Sequence, residues 1–316
     1  MPRIAIIADI HGNLPALEAV AADIASISAG FTVIGEPVDA GRPVDHVIVA
    51  GDLVNWGPFS AEVVARCVGE GWGIIRGNHE LYLLDQSTER APLEWLDQTQ
   101  FPLLPLLRRQ LEGRWTSAIA AWPDTIELRY PDAPPMLIVH GSPRSCRDLI
   151  YSTTPDLEAV RMLASLQGRT AFGAGTPTPL HAFLIAANTH IRMDRQFGTW
   201  RVVNPGSVGV PLGGRPVADY LILDGDSAGW RPSWRQVPFD PLPVLEELSR
   251  VGIVAQCGPI GQLLFEEFST YRMRVLPFVT WRRLHHPAEP INFDLLAEFR
   301  EVDPTPYVPA AHRASL

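Results

Sequence analysis

Carboxylate, imidazole and carboxamide side chains recur in this chain in a fixed order: Asp9-Ile10-His11, Gly51-Asp52, Gly77-Asn78-His79-Glu80, His140-Gly141 and Asn188-Thr189-His190. These side chains offer the oxygen and nitrogen donors that hold divalent cations at neutral pH. Most of the five motifs follow an apolar run that reads as a buried strand, so a sheet could gather them at one rim. Taken singly, each has an ordinary explanation. Gly-Asp is common in turns, and Asp-x-His arises by chance.

The elements that would position these residues can be read around them. Ile4 to Ala8 is apolar at every position, as in a strand covered on both faces. After the polar loop Asp9 to Asn13, a helix is expected: Asn13 can cap it, Pro15 suits its first turn, and Leu14, Leu17, Val20, Ala21 and Ile24 follow helical spacing. The cycle repeats with Val47 to Ala50, the loop Gly51 to Pro58 and a helix from Ser60 to about Val68; a third starts at Trp72 to Ile75 and reaches Asn78 and His79. Strand, polar loop and helix in repetition predict a largely parallel sheet whose functional loops leave the carboxyl ends of its strands.

Residues 81–122 read as a helical insertion cut into pieces by Pro92, Pro102 and Pro105. The runs Thr125 to Tyr130, Met136 to Val139, Phe183 to Ala186, Trp200 to Val203, Tyr220 to Leu223 and Ser233 to Val237 predict a second sheet facing the first. A helix from Asp156 to Leu166 and a Gly/Thr/Pro-rich surface loop from Gly173 to Pro179 fall among them. Beyond Pro238, Val244 to Arg250 and Gly261 to Tyr271 read as helices, followed by a proline-punctuated tail. The motif-bearing domain is accordingly placed at residues 1–237, with a C-terminal helical extension and tail at 238–316. That tail carries His285-His286, which reads as a surface or packing pair; His46 and His181 likewise read as structural.

With 316 residues, 46% of them hydrophobic, the chain can bury a substantial core, which excludes a disordered protein. Its formal charge, 26 − 35 = −9, repels nucleic-acid backbones and makes long duplex DNA a poor partner. Bound divalent ions would locally offset that charge and allow a phosphate site in an acidic protein. Cys67, Cys146 and Cys257 are odd in number and far apart; small buried side chains in a reducing, cytoplasmic setting explain them better than a disulfide framework. The first apolar run ends after five residues at Asp9, and no run approaches the roughly 18 apolar residues of a membrane span.

In order and spacing, the five motifs resemble those of the calcineurin-like metallophosphoesterases, in particular their compact bacterial branch of phosphodiesterases and phosphatases. The resemblance covers roughly residues 1–237 and extends to the turn Asn204-Pro205-Gly206-Ser207. It implies an α/β fold, a four-layer α/β/β/α sandwich of two mixed β-sheets, with a two-metal centre across the strand ends. Asp9, His11 and His190 would bind the first ion, Asp52 would bridge both, and Asn78 and His140 would hold the second. A bridging carboxylate screens cations roughly 3.5–4 Å apart, and the same spacing suits a shared hydroxide for in-line attack on phosphorus.

The family reads Gly-His-x-His where this chain has Ala187-Asn188-Thr189-His190, so Asn188 replaces a histidine ligand of the second ion. Its amide oxygen is a harder and weaker donor, which shifts preference toward Mn²⁺ or Mg²⁺ over Zn²⁺, with Ni²⁺ and Fe²⁺ also compatible. By the same resemblance, His79 would protonate the leaving alkoxide, a role suited to an imidazole, and Glu80 would orient His79 or simply solvate a helix start. Arg144 and Arg147 are candidate phosphate contacts, with surface solvation as their default. Trp56 and Tyr82 are candidate contacts for an aromatic leaving group, with packing as theirs.

The expected activity is phosphoester hydrolysis on a small phosphodiester or nucleotide. A serine/threonine phosphoprotein phosphatase is the enzymatic alternative, and a one-metal non-catalytic scaffold, motivated by Asn188, is the alternative from another class. The C-terminal extension is a candidate surface for homo-oligomerisation.

Overall fold

The computed structural model describes residues 1–29, 42–86, 88–92, 95, 97–111, 113–163 and 182–316. In chain order its strands are β1 (Arg3–Ile7), β2 (His46–Val49), β3 (Gly73–Ile74), β4 (Thr125–Tyr130), β5 (Ala133–Val139), β6 (Ala182–Ala186), β7 (Met193–Phe197), β8 (Trp200–Asn204), β9 (Val217–Asp226) and β10 (Gly229–Pro238). The helices are α1 (Leu14–Ala29), α2 (Ser60–Gly69), α3 (Asn78–Asp85), α4 (Leu103–Leu111), α5 (Trp115–Ala121), α6 (Asp156–Leu163), α7 (Leu242–Arg250), α8 (Ile253–Thr270), α9 (Val275–His285) and α10 (Phe293–Phe299).

The strands form two five-stranded mixed sheets, ordered β10-β9-β1-β2-β3 and β4-β5-β6-β8-β7. Because β1 is apolar throughout, it feeds two cores at once. Ile4 and Ile6 point between the sheets, where they meet Met136, Ile138, Phe183 and Ile185 of the second sheet. Ala5 and Ile7 point the other way and pack with Leu17 and Val20 of α1 and Val63 and Val64 of α2. On the outer face of the second sheet, Leu184 and Val202 pack against Ala159, Met162 and Leu163 of α6. The result is the expected α/β/β/α sandwich, with period-two alternation dividing each buried strand between two layers.

Helix α1 starts where expected, with the Asn13 Oδ1 accepting the Ala16 N–H at 3.2 Å. The second sheet, however, does not contain all the strands expected in it. Strands β9 and β10 belong to the first sheet, where β9 runs antiparallel to β1 with Ile4 opposite Leu223. An apolar run specifies a buried strand without specifying its neighbour, and β9 supplies the edge of β1 that β2 leaves open. The second sheet is completed instead by β7, whose Met-Asp-Arg-Gln-Phe segment reads too polar for a buried strand. It is held to β8 by Arg201, whose guanidinium donates twice to Asp194.

After β10 the described chain is helical. Val244, Leu248, Leu264 and Phe268 form a core with Val210 and Leu212, and Ile260, Phe278, Trp281 and Leu295 form another. The prolines concealed α9, but Pro277 falls in its first turn, where an N–H has no intrahelical partner to lose. Helix α8 begins earlier than expected and breaks at Gly258, just before Pro259. His285 bonds to the Tyr307 hydroxyl and His286 lies between Glu289 and Glu298, so the pair is committed to local polar contacts. The segment Gly173 to Pro179, His181 and the expected helix end beyond Leu163 lie outside the described residues. Among the described residues, no helix is long and apolar enough to cross a membrane.

Candidate metal centre

Six strands run parallel in two groups, β1-β2-β3 and β5-β6-β8, and a polar motif follows each of them. Their carboxyl-terminal loops meet at one rim. Among the described residues, eight non-glycine positions have positive φ, and seven of them lie in these loops: Asp9, His11, Asp52, Asn55, Trp56, Asn188 and His190. Left-handed backbone costs an L-residue roughly 1–2 kcal/mol, least for Asp and Asn, so the surrounding contacts must hold several strained turns in place.

Two glycines show how tightly the loops meet. A Cβ on Gly51 (φ +91°) would lie 2.6 Å from the His140 Nδ1, and one on Gly77 would lie 2.1 Å from the Asp52 Oδ1. Glu80, with no exposed surface, secures the same crossing. Its carboxylate accepts backbone N–H groups from Asp52 at 3.0 Å, Leu53 at 2.8 Å, Val54 at 3.2 Å and Gly77 at 2.6 Å. It therefore does not orient the His79 ring; it clasps the Asp52 loop to the start of α3. Burial, reinforced by the nearby Asp52, pushes the Glu80 carboxyl up to about 7. The Asn204–Ser207 turn acts as a second clasp, with Asn204 Nδ2 donating to the Ala187 carbonyl and Ser207 Oγ to the Asp9 carbonyl.

Within this frame the structure brings together Asp9, His11, Asp52, Asn78, His79, His140 and His190, all buried. The His140 Nε2 lies 3.0 Å from the Asn78 Oδ1, 3.1 Å from the Asp52 Oδ2 and 3.9 Å from the Asp9 Oδ1. The His190 Nε2 lies 3.1 Å from the His11 Nε2 and 3.7 Å from the Asp9 Oδ1. Ligand atoms of Asp9, His11 and His190 fall within 4.8 Å of one another, as do those of Asp9, Asp52 and His140 and those of His11, Asp52 and His79. Asn188 sits at the edge of this cluster. Its Nδ2 donates to the carbonyls of Cys146 and Asp148, both at 3.1 Å, which leaves its Oδ1 as the atom free to meet a cation.

The donor set fits divalent ions on an independent observation: both carboxylate oxygens of Asp9 are fully buried without a hydrogen-bond partner. An uncompensated buried carboxylate is costly, and a cation is the partner that this set of oxygens and imidazoles can accommodate. Two imidazoles are also aimed. His190 donates through Nδ1 to the Val210 carbonyl at 3.0 Å and His140 through Nδ1 to the Ala50 carbonyl at 2.8 Å, which turns each Nε2 inward.

The electrostatics follow from burial and crowding. Burial drives the Asp9 carboxyl well above its usual range, whereas the His140 and His79 imidazoles overcome the same penalty at Asp52 and hold it far below. Burial would depress His140, but Asp52 and then Asp9 raise it to about 10. Burial lowers His11 and His79 and takes His190 down to about 3.

The sequence reading missed Asn55, which lies in the same loop as Asp52. Its Oδ1 accepts the Trp56 N–H at 2.9 Å, so its Nδ2 faces the His79 Nδ1, also at 2.9 Å. His79 thereby accepts at Nδ1 and carries its proton on Nε2. An amide three residues after Asp52 in a strand-end loop was the available signal. Trp56 stacks on His11 with ring centroids 4.5 Å apart. Of the two candidate arginines, Arg144 pairs with Asp148 and Arg147 lies 4.2 Å over the Trp95 ring.

Residues 2–156 match the model of the calcineurin-like phosphoesterase family. The chain carries a calcineurin-like phosphoesterase domain. The fold recurs in a metallophosphoesterase from Sphaerobacter thermophilus, at 24% identity and TM-score 0.55, covering 85% of this chain and 99% of that one. It recurs also in a hypothetical protein from Pyrococcus horikoshii OT3, at 16% identity and TM-score 0.61, covering 84% of this chain and 98% of that one. A symmetrical bis(5'-nucleosyl)-tetraphosphatase from Paracidovorax citrulli (strain AAC00-1) is 42% identical over 64 residues, 20% of this chain and 23% of that enzyme. The chain thus spans less than a quarter of the length of the curated relative it matches.

The cluster opens into a cavity of about 280 Å³ whose far wall is built by α8, α9 and His312. Glu267 of α8 lines it while accepting the backbone N–H groups of Arg274 at 2.7 Å and Val275 at 3.1 Å. Burial pushes the Glu267 carboxyl up to about 6 from 4.5. The folded chain therefore holds this proton more tightly than the unfolded chain. Below the lower value both are protonated; as pH rises through the window stability falls, by about 2 kcal/mol once Glu267 is ionised. Glu267→Gln is expected to unfold at a higher temperature than the wild type near pH 7 and at the same temperature near pH 4. A melting difference that does not change with pH would contradict this.

Proposed function

We propose that the chain hydrolyses phosphoesters at this centre, with a small phosphodiester or nucleotide as substrate. The observation that carries the reading is the convergence of Asp9, His11, Asp52, Asn78, His140 and His190 around a buried Asp9 carboxylate without a hydrogen-bond partner. In this reading Asp9, His11 and His190 hold one divalent ion, Asn78, His140 and the Asn188 Oδ1 hold another, and Asp52 lies between them. Mn²⁺ suits this mixture of carboxylate, amide and imidazole donors. The ions would supply electrophilic stabilisation of the phosphoryl oxygens and lower the pKa of a water.

The chain's own residues supply the rest. His79 lines the cavity, and Asn55 keeps it as the neutral tautomer with its proton on Nε2, so it is placed to donate a hydrogen bond to the charge that develops on the leaving oxygen, which takes its proton from water. The strained loops fix the donors before substrate arrives, which places the organisational cost in folding rather than in the reaction.

The testing experiment measures turnover of bis-p-nitrophenyl phosphate, p-nitrophenyl phosphate, a cyclic nucleotide and a phosphopeptide with Mn²⁺, Mg²⁺, Ni²⁺ and Zn²⁺. Diester hydrolysis highest with Mn²⁺ and abolished by chelation is expected. Robust phosphopeptide turnover with none on diesters would overturn the substrate assignment, and no turnover with any ion would overturn the hydrolase.

A further inference from the structure

The cavity beside the centre is too apolar and too poor in cations to be only a passage for water. His79 and His190 form part of its floor, and Trp56, Tyr82, Phe101 and Tyr151 contribute aromatic surface. The C-terminal helices add Leu264, Val275, Leu276 and Val279. Among the described residues no arginine lines it, and the chain contains no lysine. The charged residues of the lining are acidic: Asp52 in the centre and Glu267 opposite it. Of the two arginines nearest in sequence to the His140 motif, Arg144 is paired with Asp148, and Arg147 lies outside the lining, over the Trp95 ring at 4.2 Å and 5.9 Å from the centroid of Tyr82.

A polyphosphate chain carries several negative charges and is held by cationic side chains. Among the described residues, the lining of this pocket itself contributes no such side chain. Its size points the same way, since small-molecule sites run from roughly 300 to 1,000 Å³ and this one lies at the lower limit. There is room for one ring-bearing group and not for two nucleosides. Beside Glu267, the far wall carries one more titratable side chain among the described residues, His312, which is 3% exposed and has its ring set edge-on to Tyr151 at 5.4 Å.

We propose that the C-terminal helices and His312 form the binding site for a single uncharged organic group, aromatic or similarly apolar, of a small phosphoester, and that dinucleoside polyphosphates are disfavoured there. This rests on the hydrolase reading and narrows its substrate class. The group is buried against Leu276 and the aromatic wall while its phosphoryl end reaches the centre.

Two phosphonates that differ only in their organic group test this. Inhibition constants of phenylphosphonate and methylphosphonate are measured against bis-p-nitrophenyl phosphate with Mn²⁺, for the wild type, Leu276→Asp and Leu149→Asp. Leu276 is 40% exposed and Leu149 38%, so a carboxylate at either rim position is compatible with folding, and melting temperatures verify it. The wild type is expected to bind phenylphosphonate at least about tenfold more tightly than methylphosphonate, and each variant to lose most of that preference. Diadenosine tetraphosphate is expected to inhibit more weakly than phenylphosphonate. Equal binding of the two phosphonates, a preference unchanged in folded variants, or tighter binding of the tetraphosphate would overturn the proposal while hydrolysis continued. Absence of bis-p-nitrophenyl phosphate hydrolysis in the wild type would instead strike the hydrolase reading, and calorimetric titration of both phosphonates would still decide the pocket.

Discussion

Asp52→Asn is expected to reduce kcat/KM for a diester by about 10³-fold or more and to lower the number of bound ions per chain, with little change in fold. The carboxylate occupies the middle of the cluster, its Oδ2 3.1 Å from the His140 Nε2, 3.8 Å from that of His11 and 3.9 Å from that of His79. Its Oδ1 accepts the His79 backbone N–H at 2.8 Å. Asparagine keeps the shape and can keep that last bond, so the change removes charge while preserving the loop. On the two-ion reading proposed above, loss of this anion would leave the repulsion between paired cations without an offset. Elemental analysis after dialysis against Mn²⁺, together with steady-state rates, checks both parts. Full metal content and a rate within tenfold of wild type would refute the central role given to Asp52.

His79→Gln should separate catalysis from metal binding. His79 is adjacent in sequence to Asn78, and its Nε2 is close enough to Asp52 for it to serve as a ligand instead of a hydrogen-bond donor. The hydrogen bond from Asn55 to its Nδ1 favours the catalytic role, because it leaves the proton on Nε2, and a protonated nitrogen donates a hydrogen bond but cannot coordinate a cation. Loss of one donor to developing charge costs about 10²–10³-fold in turnover. A fall of roughly that size in kcat, with the ion count unchanged, is the expected result. If the ion count falls with the rate, His79 belongs among the ligands.

Much of this site was legible because its residues are polar at positions where a strand ends. Asp9 is the first polar side chain after five apolar ones, and Asp52, His140 and His190 follow runs of the same kind. A parallel sheet brings such positions to one rim whatever the intervening sequence, so order and residue type carried the prediction. Glu80 and Asn55 behaved differently. Glu80 looked like a solvated helix start, but it is fully buried under four backbone N–H groups that come mostly from a loop about 27 residues earlier. Asn55 acquires its meaning from an amide orientation that only the Trp56 N–H fixes.

The fold shows the same division. An unbroken apolar run made β1 plain, whereas the three consecutive polar residues Asp194, Arg195 and Gln196 hid β7, which is tied to its neighbour by the Asp194–Arg201 pair. Pairing was not local information at all, and β9 and β10 were assigned to the wrong sheet for that reason. The C-terminal helices were obscured by Pro259, Pro277 and Pro290, two of which lie at a break in a helix or in its first turn. Their placement over the centre, with His312 in the cavity wall, depends on contacts between residues more than a hundred positions apart and had no sequence signature.

Counting Mn²⁺ per chain by equilibrium dialysis and elemental analysis, for the wild type and Asp9→Asn side by side, bears most directly on the claim that these strand ends grip a pair of cations. About two ions in the wild type and at most one in the variant are expected. A wild type that binds none, or an Asp9→Asn chain that retains both, would contradict the claim.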